Sequence, residues 1–190
     1  MTKYKGLTEA GVPFLIIVAC YLLAYGLTSY LITPIQRYFF PEITAFASLV
    51  YLPHGERILA TRYWGWKAIL PIVCGSIMAS AIFNETSMTE FLEPKMIEAQ
   101  IVSACSAFVA FELARGAGFN FYARAGNKIH WKQLIAIGAL ASLINSIGNS
   151  LVYAGLIVSG EALPVFATYL TGDIVGQFVC MLALVLVFRR

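Results

Sequence analysis

Six mostly apolar stretches, each close to the length of a membrane-crossing helix, constrain this chain more than any motif in it: Pro13–Ile32, Ile43–Trp64, Lys67–Phe83, Met96–Ala114, Gln133–Val158 and Ala162–Phe188. A helix needs about 20 residues to cross a hydrocarbon core of about 30 Å, and lipid offers no partner to a free backbone group. The first stretch carries no charge, follows the polar head Met1–Val12, and is closed by no small-residue cleavage site. It therefore reads as a retained span and not as a cleaved signal peptide. No Gly/Ser linker, repeat or low-complexity tract divides the chain, so one domain is expected over residues 1–190. The expected fold class is all-α, a polytopic integral membrane protein of about six transmembrane helices. Composition agrees: 59% of the residues are hydrophobic and 12% charged, against about 45–50% and 25% in soluble domains. That balance excludes a soluble enzyme, a disordered chain and a nucleic-acid-binding domain, and a net charge of +3 is too small to call for a polyanionic partner.

The charges set the expected orientation. Sorting the 13 basic residues alternately across six spans puts Lys3, Lys5, Arg57, Arg62, Lys67, Arg115, Arg124, Lys128, Lys132, Arg189 and Arg190 on one side, with only Arg37 and Lys95 on the other. Basic residues near helix ends are retained in the cytoplasm, so both termini are expected there, in a cytoplasmic (inner) membrane of bacterial type. Glu42, Glu85, Glu90, Glu93, Glu98 and Glu161 fall on or near the external side, and Trp64, Trp66 and Trp131 at the cytoplasmic interface. The longest polar connections are Asn84–Lys95 and Arg115–Trp131. The second mixes Phe119, Phe121 and Tyr122 with Arg124 and Lys128, as suits a segment lying on headgroups.

Polar residues at bilayer depth are the candidate site. Pro53-His54-Gly55-Glu56-Arg57 stands midway through the second span, where proline removes a backbone donor and glycine loosens the chain; a break is expected at Pro53–Gly55. Arg57 either reaches the cytoplasmic interface or finds a carboxylate, for which Asp173 is the candidate by elimination. Asp173 and Gln177 share a face of the last span beside Gly172 and Gly176, a small-xxx-small notch. Asn145 and Asn149 share the small-residue face of the fifth span with Gly138, Ala141, Ser142 and Gly148. They serve either as interhelical hydrogen-bonding groups or as ligand contacts, and the Asp173 and Arg57 charges either as a structural pair or as functional groups.

Catalytic chemistry is not expected. Cys20, Cys74, Cys105 and Cys180 lie inside spans without metal or redox spacing. His54 and His130 form no metal motif with nearby carboxylates, no Ser/His triad arrangement is recognisable, and no cofactor is named by any motif.

Pro53-His54-Gly55, nine residues to Gly65 and nine more to Gly75, resembles the Pro-x-Gly motif and glycine ladder of the first class of membrane-associated sensor domains, the MASE-type family. Gly172-Asp173-Ile174-Val175-Gly176 is similar to that family's Gly-Asp-x-x-Gly signature near its final helix. The resemblance implies an integral membrane sensing module in bacterial signalling. Such modules usually join a cyclase, phosphodiesterase or kinase output. The sequence departs from the pattern in ending at Arg189-Arg190 after its last span and in carrying Glu56, Arg57 and Arg62 where family helices are mostly apolar. The expected function is thus a non-catalytic membrane module of sensor type, lodged in the lipid bilayer and acting through another integral membrane protein. The alternatives are an accessory subunit of a respiratory, photosynthetic or transport complex, and a small solute carrier or substrate-binding component.

Overall fold

A computed structural model describes residues 2–39, 48–83, 93–123, 129–152 and 162–188. Residues 43–47 of the expected second span, 153–158 of the fifth, most of the external connection, Arg124, Lys128, Arg189 and Arg190 lie outside the described residues. Within the described residues every regular element is helical. Helix α1 (Thr2–Leu27) passes through a π-helical turn (Thr28–Ile32) into α2 (Thr33–Phe39). Helix α3 (Leu52–Trp64) joins α4 (Ile69–Phe83) through a 3-10 turn (Gly65–Ala68), and α5 (Pro94–Gly116), α6 (Trp131–Val152) and α7 (Ala162–Phe188) follow.

Five helices among the described residues are long and apolar enough to cross a membrane: Gly11–Phe39, Leu52–Phe83, Pro94–Gly116, Trp131–Val152 and Tyr169–Leu186. On this measure the second and third expected spans share the single run Leu52–Phe83. The outer surface is apolar: Leu15, Leu23, Leu70, Leu151 and Leu186 are all exposed, as suits contact with lipid.

The chain reverses within the Leu52–Phe83 run. At its start, Leu52 N–H donates to Thr28 Oγ1 (3.3 Å), and at its end Phe83 packs on Gly26 and stacks on Tyr25. Both ends therefore lie beside the same stretch of α1, and the turn between them is made at Gly65, whose φ of +59° suits a residue without Cβ. Helices α5 and α6 are antiparallel: Val102 lies beside Gly148, while Phe111, further along α5, shares an apolar cluster with Leu134 near the start of α6. So are α6 and α7, where Ser142 meets Asp173 and Leu134 meets Gln177.

The expected break at Pro53–Gly55 is not where the irregular backbone lies. Pro53 sits in the first turn of α3, where its missing N–H would have no helical partner in any case. The described non-helical residues before α3 are 48–51, and three of their four N–H groups donate to protein. Leu49 N–H donates to Gln36 Oε1 (2.7 Å), Tyr51 N–H to the Gly172 carbonyl (2.9 Å) and Val50 N–H to Ser48 Oγ (3.4 Å). Irregular backbone at membrane depth persists only with such partners. Gly55 has a packing role instead, since a Cβ there would stand 2.7 Å from Cys180 Cβ on α7.

Helix α3 is the hub of the bundle. It touches α1, α5, α6 and α7, and Pro53, His54, Gly55, Glu56, Arg57, Ile58, Ala60, Thr61 and Arg62 are all buried. A helix with three charged residues in 13 is thus buried along most of its length. One apolar cluster, Ile58, Ala107, Phe111, Leu134, Ile137 and Ala141 among its members, packs α3 against α5 and α6. A second, with Ile17, Tyr21, Ala60, Ile72 and Ala79, packs it with α4 against α1.

Candidate functional site

Two polar clusters flank α3 inside the bundle. The first lies between α3, α6 and α7 and gathers His54, Asp173, Ser142 and Gln177 from the sequence's candidates and their neighbours. His54 Nε2 is 3.1 Å from the Gly138 carbonyl, which only accepts, so this nitrogen carries a proton. His54 Nδ1 is 3.4 Å from Asp173 Oδ2, at ion-pair distance, and the two side chains are almost wholly buried. A ring lone pair and a carboxylate repel each other at that separation unless a proton is held by one of them. Ser142 Oγ donates to Asp173 Oδ2 at 2.7 Å. Gln177 Nε2 donates to the Leu134 carbonyl at 2.6 Å, and its Oε1 has no hydrogen-bond partner.

Asp173 is therefore not paired with Arg57. No ion pair within 4 Å joins the two; His54 and Ser142 occupy the carboxylate instead. The cause is register. Gly172 meets Ser48, Gly176 meets Tyr51 and Gly55 meets Cys180, so α7 runs parallel to α3 with Asp173 level with the residues before α3. His54 is closer to that level than Arg57, three residues further on.

The second cluster lies on the α1 and α5 sides of α3. Arg57 is 2% exposed, enclosed by the bundle. Its Nη1 donates to the Ser103 carbonyl (3.0 Å), and its guanidinium lies over the Tyr51 ring, 5.5 Å from the centroid. Tyr51 Oη is 3.4 Å from Tyr21 Oη on α1. Asn149 Nδ2 donates to Ser103 Oγ (3.2 Å) and to Asn145 Oδ1 (2.8 Å), so the asparagine pair bridges α6 to the residue that holds Arg57. The asparagines make no hydrogen bond to Asp173, so the candidates form two clusters and not one. Arg62 is buried as well, and its guanidinium donates to the Phe121 carbonyl.

Gly172 and Gly176 do not present an open notch. A Cβ on either would fall 2.1 Å from the Ser48 carbonyl oxygen or 2.2 Å from that of Tyr51, so the pair is filled by the backbone of residues 48–51. Tyr51 thereby links the clusters: its backbone lies in the glycine seam of α7 while its ring covers Arg57.

Sequence reasoning left Ser142, Tyr21, Tyr51 and Ser103 out of the site. Ser142 carried a signal, since it precedes Asn145 by three on the same helical face. Tyr21 looks like any aromatic in an apolar span. Ser103 acts toward Arg57 through its carbonyl, an atom that every residue has.

Chemically, the first cluster can hold a proton and the second can offer donors. In a hydrolytic triad the imidazole takes the proton of the hydroxyl. Here the carboxylate stands between Ser142 and His54, and no hydroxyl is aimed at the ring. Among the described residues, unused hydrogen-bonding capacity remains at His54 Nδ1, Glu56 Oε2, Arg57 Nε, Thr61 Oγ1, Ser146 Oγ and Gln177 Oε1, all buried. The chain has no significant match among protein-family models, curated proteins or solved structures.

Proposed function

We propose that this protein is a non-catalytic integral membrane module of sensor type, whose interior polar clusters bind a ligand and whose state is read by a partner membrane protein. The observation that carries the reading is the enclosure of α3. Its polar side chains lie inside a shell of apolar helices with hydrogen-bonding capacity left over. Intramembrane polar groups without full satisfaction cost stability, and a binding role accounts for their retention. The similarity of Pro53-His54-Gly55 and Gly172-Asp173-Ile174-Val175-Gly176 to sensor-domain signatures favours sensing within that class.

In this reading the chain crosses the cytoplasmic membrane of a bacterium six times, with both termini in the cytoplasm. The reversal at Gly65 supports six crossings, since it divides the Leu52–Phe83 run into two passes. Trp66 and Trp131 are exposed, and Arg62 joins the segment that carries Phe121 and Ala123, so one end of the bundle gathers the interfacial groups. Occupancy of the interior acts on Tyr51, and through its backbone on the α3–α7 seam. The ligand's work is to favour one packing of that seam over another.

The test is native sizing of the gently solubilised full chain, with identification of what co-purifies, for the wild type and Asp173→Asn. The sensor reading expects a co-purifying membrane protein whose association changes in the variant. A stoichiometric complex indifferent to Asp173→Asn makes the chain an accessory subunit. Accumulation of a solute in proteoliposomes makes it a carrier.

A further inference from the structure

The apolar run Gly11–Phe39 extends well past the level at which α3 begins. Leu52, the first residue of α3, lies beside Thr28, and from there α3 runs back to the reversal at Gly65, about 20 Å away at the rise of a helix. In the other direction the first helix carries on from Thr28 through Arg37, about 13 Å further. Arg37 thus stands about 33 Å from Gly65 along the bundle, a separation that places the two near opposite faces of a hydrocarbon core of about 30 Å. Arg37 is exposed at that level, where phospholipid headgroups begin.

This end of the helix carries a shallow groove of about 370 Å³, lined by Ser29, Thr33, Pro34, Arg37 and Tyr38. Its backbone is widened. Pro34 has no N–H to donate, and just before it Thr33 N–H reaches the Thr28 carbonyl, five residues back. The lining is one-sided in its chemistry. Among the described residues Arg37 has no hydrogen bond or ion pair, and the Ser29 and Thr33 hydroxyls have no hydrogen bond. The groove therefore offers a guanidinium and two hydroxyls with donors unused, and its lining includes no carboxylate. A guanidinium matches two phosphate oxygens at once, which makes phosphate its natural partner. Leu31, Ile35 and Phe39 of the same stretch are exposed and supply apolar surface for acyl chains.

We propose that this groove binds the phosphodiester of an anionic phospholipid, with Arg37 on the phosphate oxygens and the Ser29 and Thr33 hydroxyls donating beside it. The unpaired cation, its depth and the adjoining apolar surface together fit a lipid better than a soluble anion. A headgroup without an ammonium is preferred, because no lining residue is an acid that could receive one. The site is separate from the interior clusters and is tested independently of the sensor reading.

The experiment uses the full chain in mild detergent, with phosphatidylglycerol, phosphatidylethanolamine and sodium phosphate added separately. Bound lipid is read by native mass spectrometry and stability by thermal unfolding. One phosphatidylglycerol is expected to bind saturably and more tightly than phosphatidylethanolamine. Arg37→Gln should lower that affinity about tenfold, the scale of a lost charge-assisted hydrogen bond, with Arg37→Lys in between. Arg37 has no protein partner to strand, so the variant is expected to melt as wild type does without lipid. Ser29→Ala/Thr33→Val should weaken binding about threefold. Lys95→Gln is the control. Lys95 is exposed at the same end of the bundle, since Gln100 of α5 meets Ser80 near the end of α4, but it lies outside the groove. Wild-type affinity in Arg37→Gln, or an equal loss in Lys95→Gln from diffuse charge attraction, overturns the proposal. Equal binding of the two lipids overturns the headgroup preference and with it the anionic assignment. An Arg37-dependent response to sodium phosphate as large as that to lipid makes the site one for free phosphate and overturns the lipid assignment.

Discussion

His54 on α3 and Asp173 on α7 approach to 3.4 Å between Nδ1 and Oδ2, while the other ring nitrogen of His54 is held by the Gly138 carbonyl at 3.1 Å. One ring thus ties α3 to both α6 and α7, and the carboxylate it faces accepts its hydrogen bond from Ser142 of α6.

Asp173→Asn is expected to fold with stability close to wild type. Ser142 and His54 meet the same oxygen, Oδ2, so an amide oxygen placed there keeps the Ser142 bond and gives up only the charge facing His54. Asp173→Ala leaves the buried Ser142 hydroxyl without its acceptor, at about 1–3 kcal/mol. Thermal unfolding in detergent separates them; an alanine variant as stable as the asparagine variant would mean the contact contributes nothing.

The glycines facing other elements are expected to rank by what stands in the way. At Gly176 and Gly172 a Cβ meets backbone carbonyl oxygens at 2.2 and 2.1 Å, and backbone held in a seam does not step aside. At Gly138 the obstacle is the Gln177 amide at 1.7 Å, the end of a side chain that can rotate at the expense of its bond to Leu134. Alanine at Gly176 should therefore cost more than alanine at Gly138, with both in or above the range of about 1–3 kcal/mol for overpacking. Gly11, with nothing within 4 Å, serves as a neutral control. Equal melting temperatures for all three variants would contradict the close α3–α7 seam.

Gly65→Ala should destabilise through the backbone alone. Its φ of +59° with ψ of −135° is a conformation that side chains rarely adopt, whereas the nearest side-chain atom, from Tyr122, is at an ordinary 3.6 Å. A loss of about 1–3 kcal/mol follows. Gly65→Asn should fare no better, since that ψ lies outside the left-handed helical region open to asparagine. Measured stability unchanged by either substitution would argue against the reversal.

Residues 117–123 are tied to α3 and α5 by a few polar contacts. Ala123 N–H donates to the Arg62 carbonyl (2.9 Å), and Tyr122 Oη donates to Glu112 Oε1 (2.7 Å). Tyr122→Phe removes only the latter, a loss of about 0.5–1.5 kcal/mol. Limited trypsin digestion should then cleave after Arg115 roughly two- to tenfold faster than in wild type, if local opening exposes that bond. An unchanged cleavage rate would show that Tyr122 is anchored by its ring packing on Phe111, not by its hydroxyl.

Much of this architecture follows from one-dimensional patterns. Apolar runs of about 20 residues dictate helices because a chain in lipid satisfies its backbone only internally. The Pro-x-Gly at residues 53–55 marks a special point on the chain, and the small residues of α6 and α7 mark the faces that meet protein. Rarity of charge draws attention to His54, Arg57 and Asp173 in a chain with so few ionisable groups.

Partners were another matter. His54 and Arg57 lie three residues apart, nearly on one face of α3 and about 4.5 Å apart along its axis, so each qualified as the neighbour of Asp173. The choice depends on the axial register of α7 against α3, which the fit of Gly172 and Gly176 around residues 48–51 decides. Arg57 then meets a carbonyl and a ring in place of a carboxylate, and neither a carbonyl nor a ring contact is spelled by residue type. The sequence by itself determined that helices would form, which faces would be enclosed and which charges would be costly. Only the tertiary structure decided how the most polar helix became the centre and which group neutralises which, because periodicity carries the angle around a helix but not its sliding position against another.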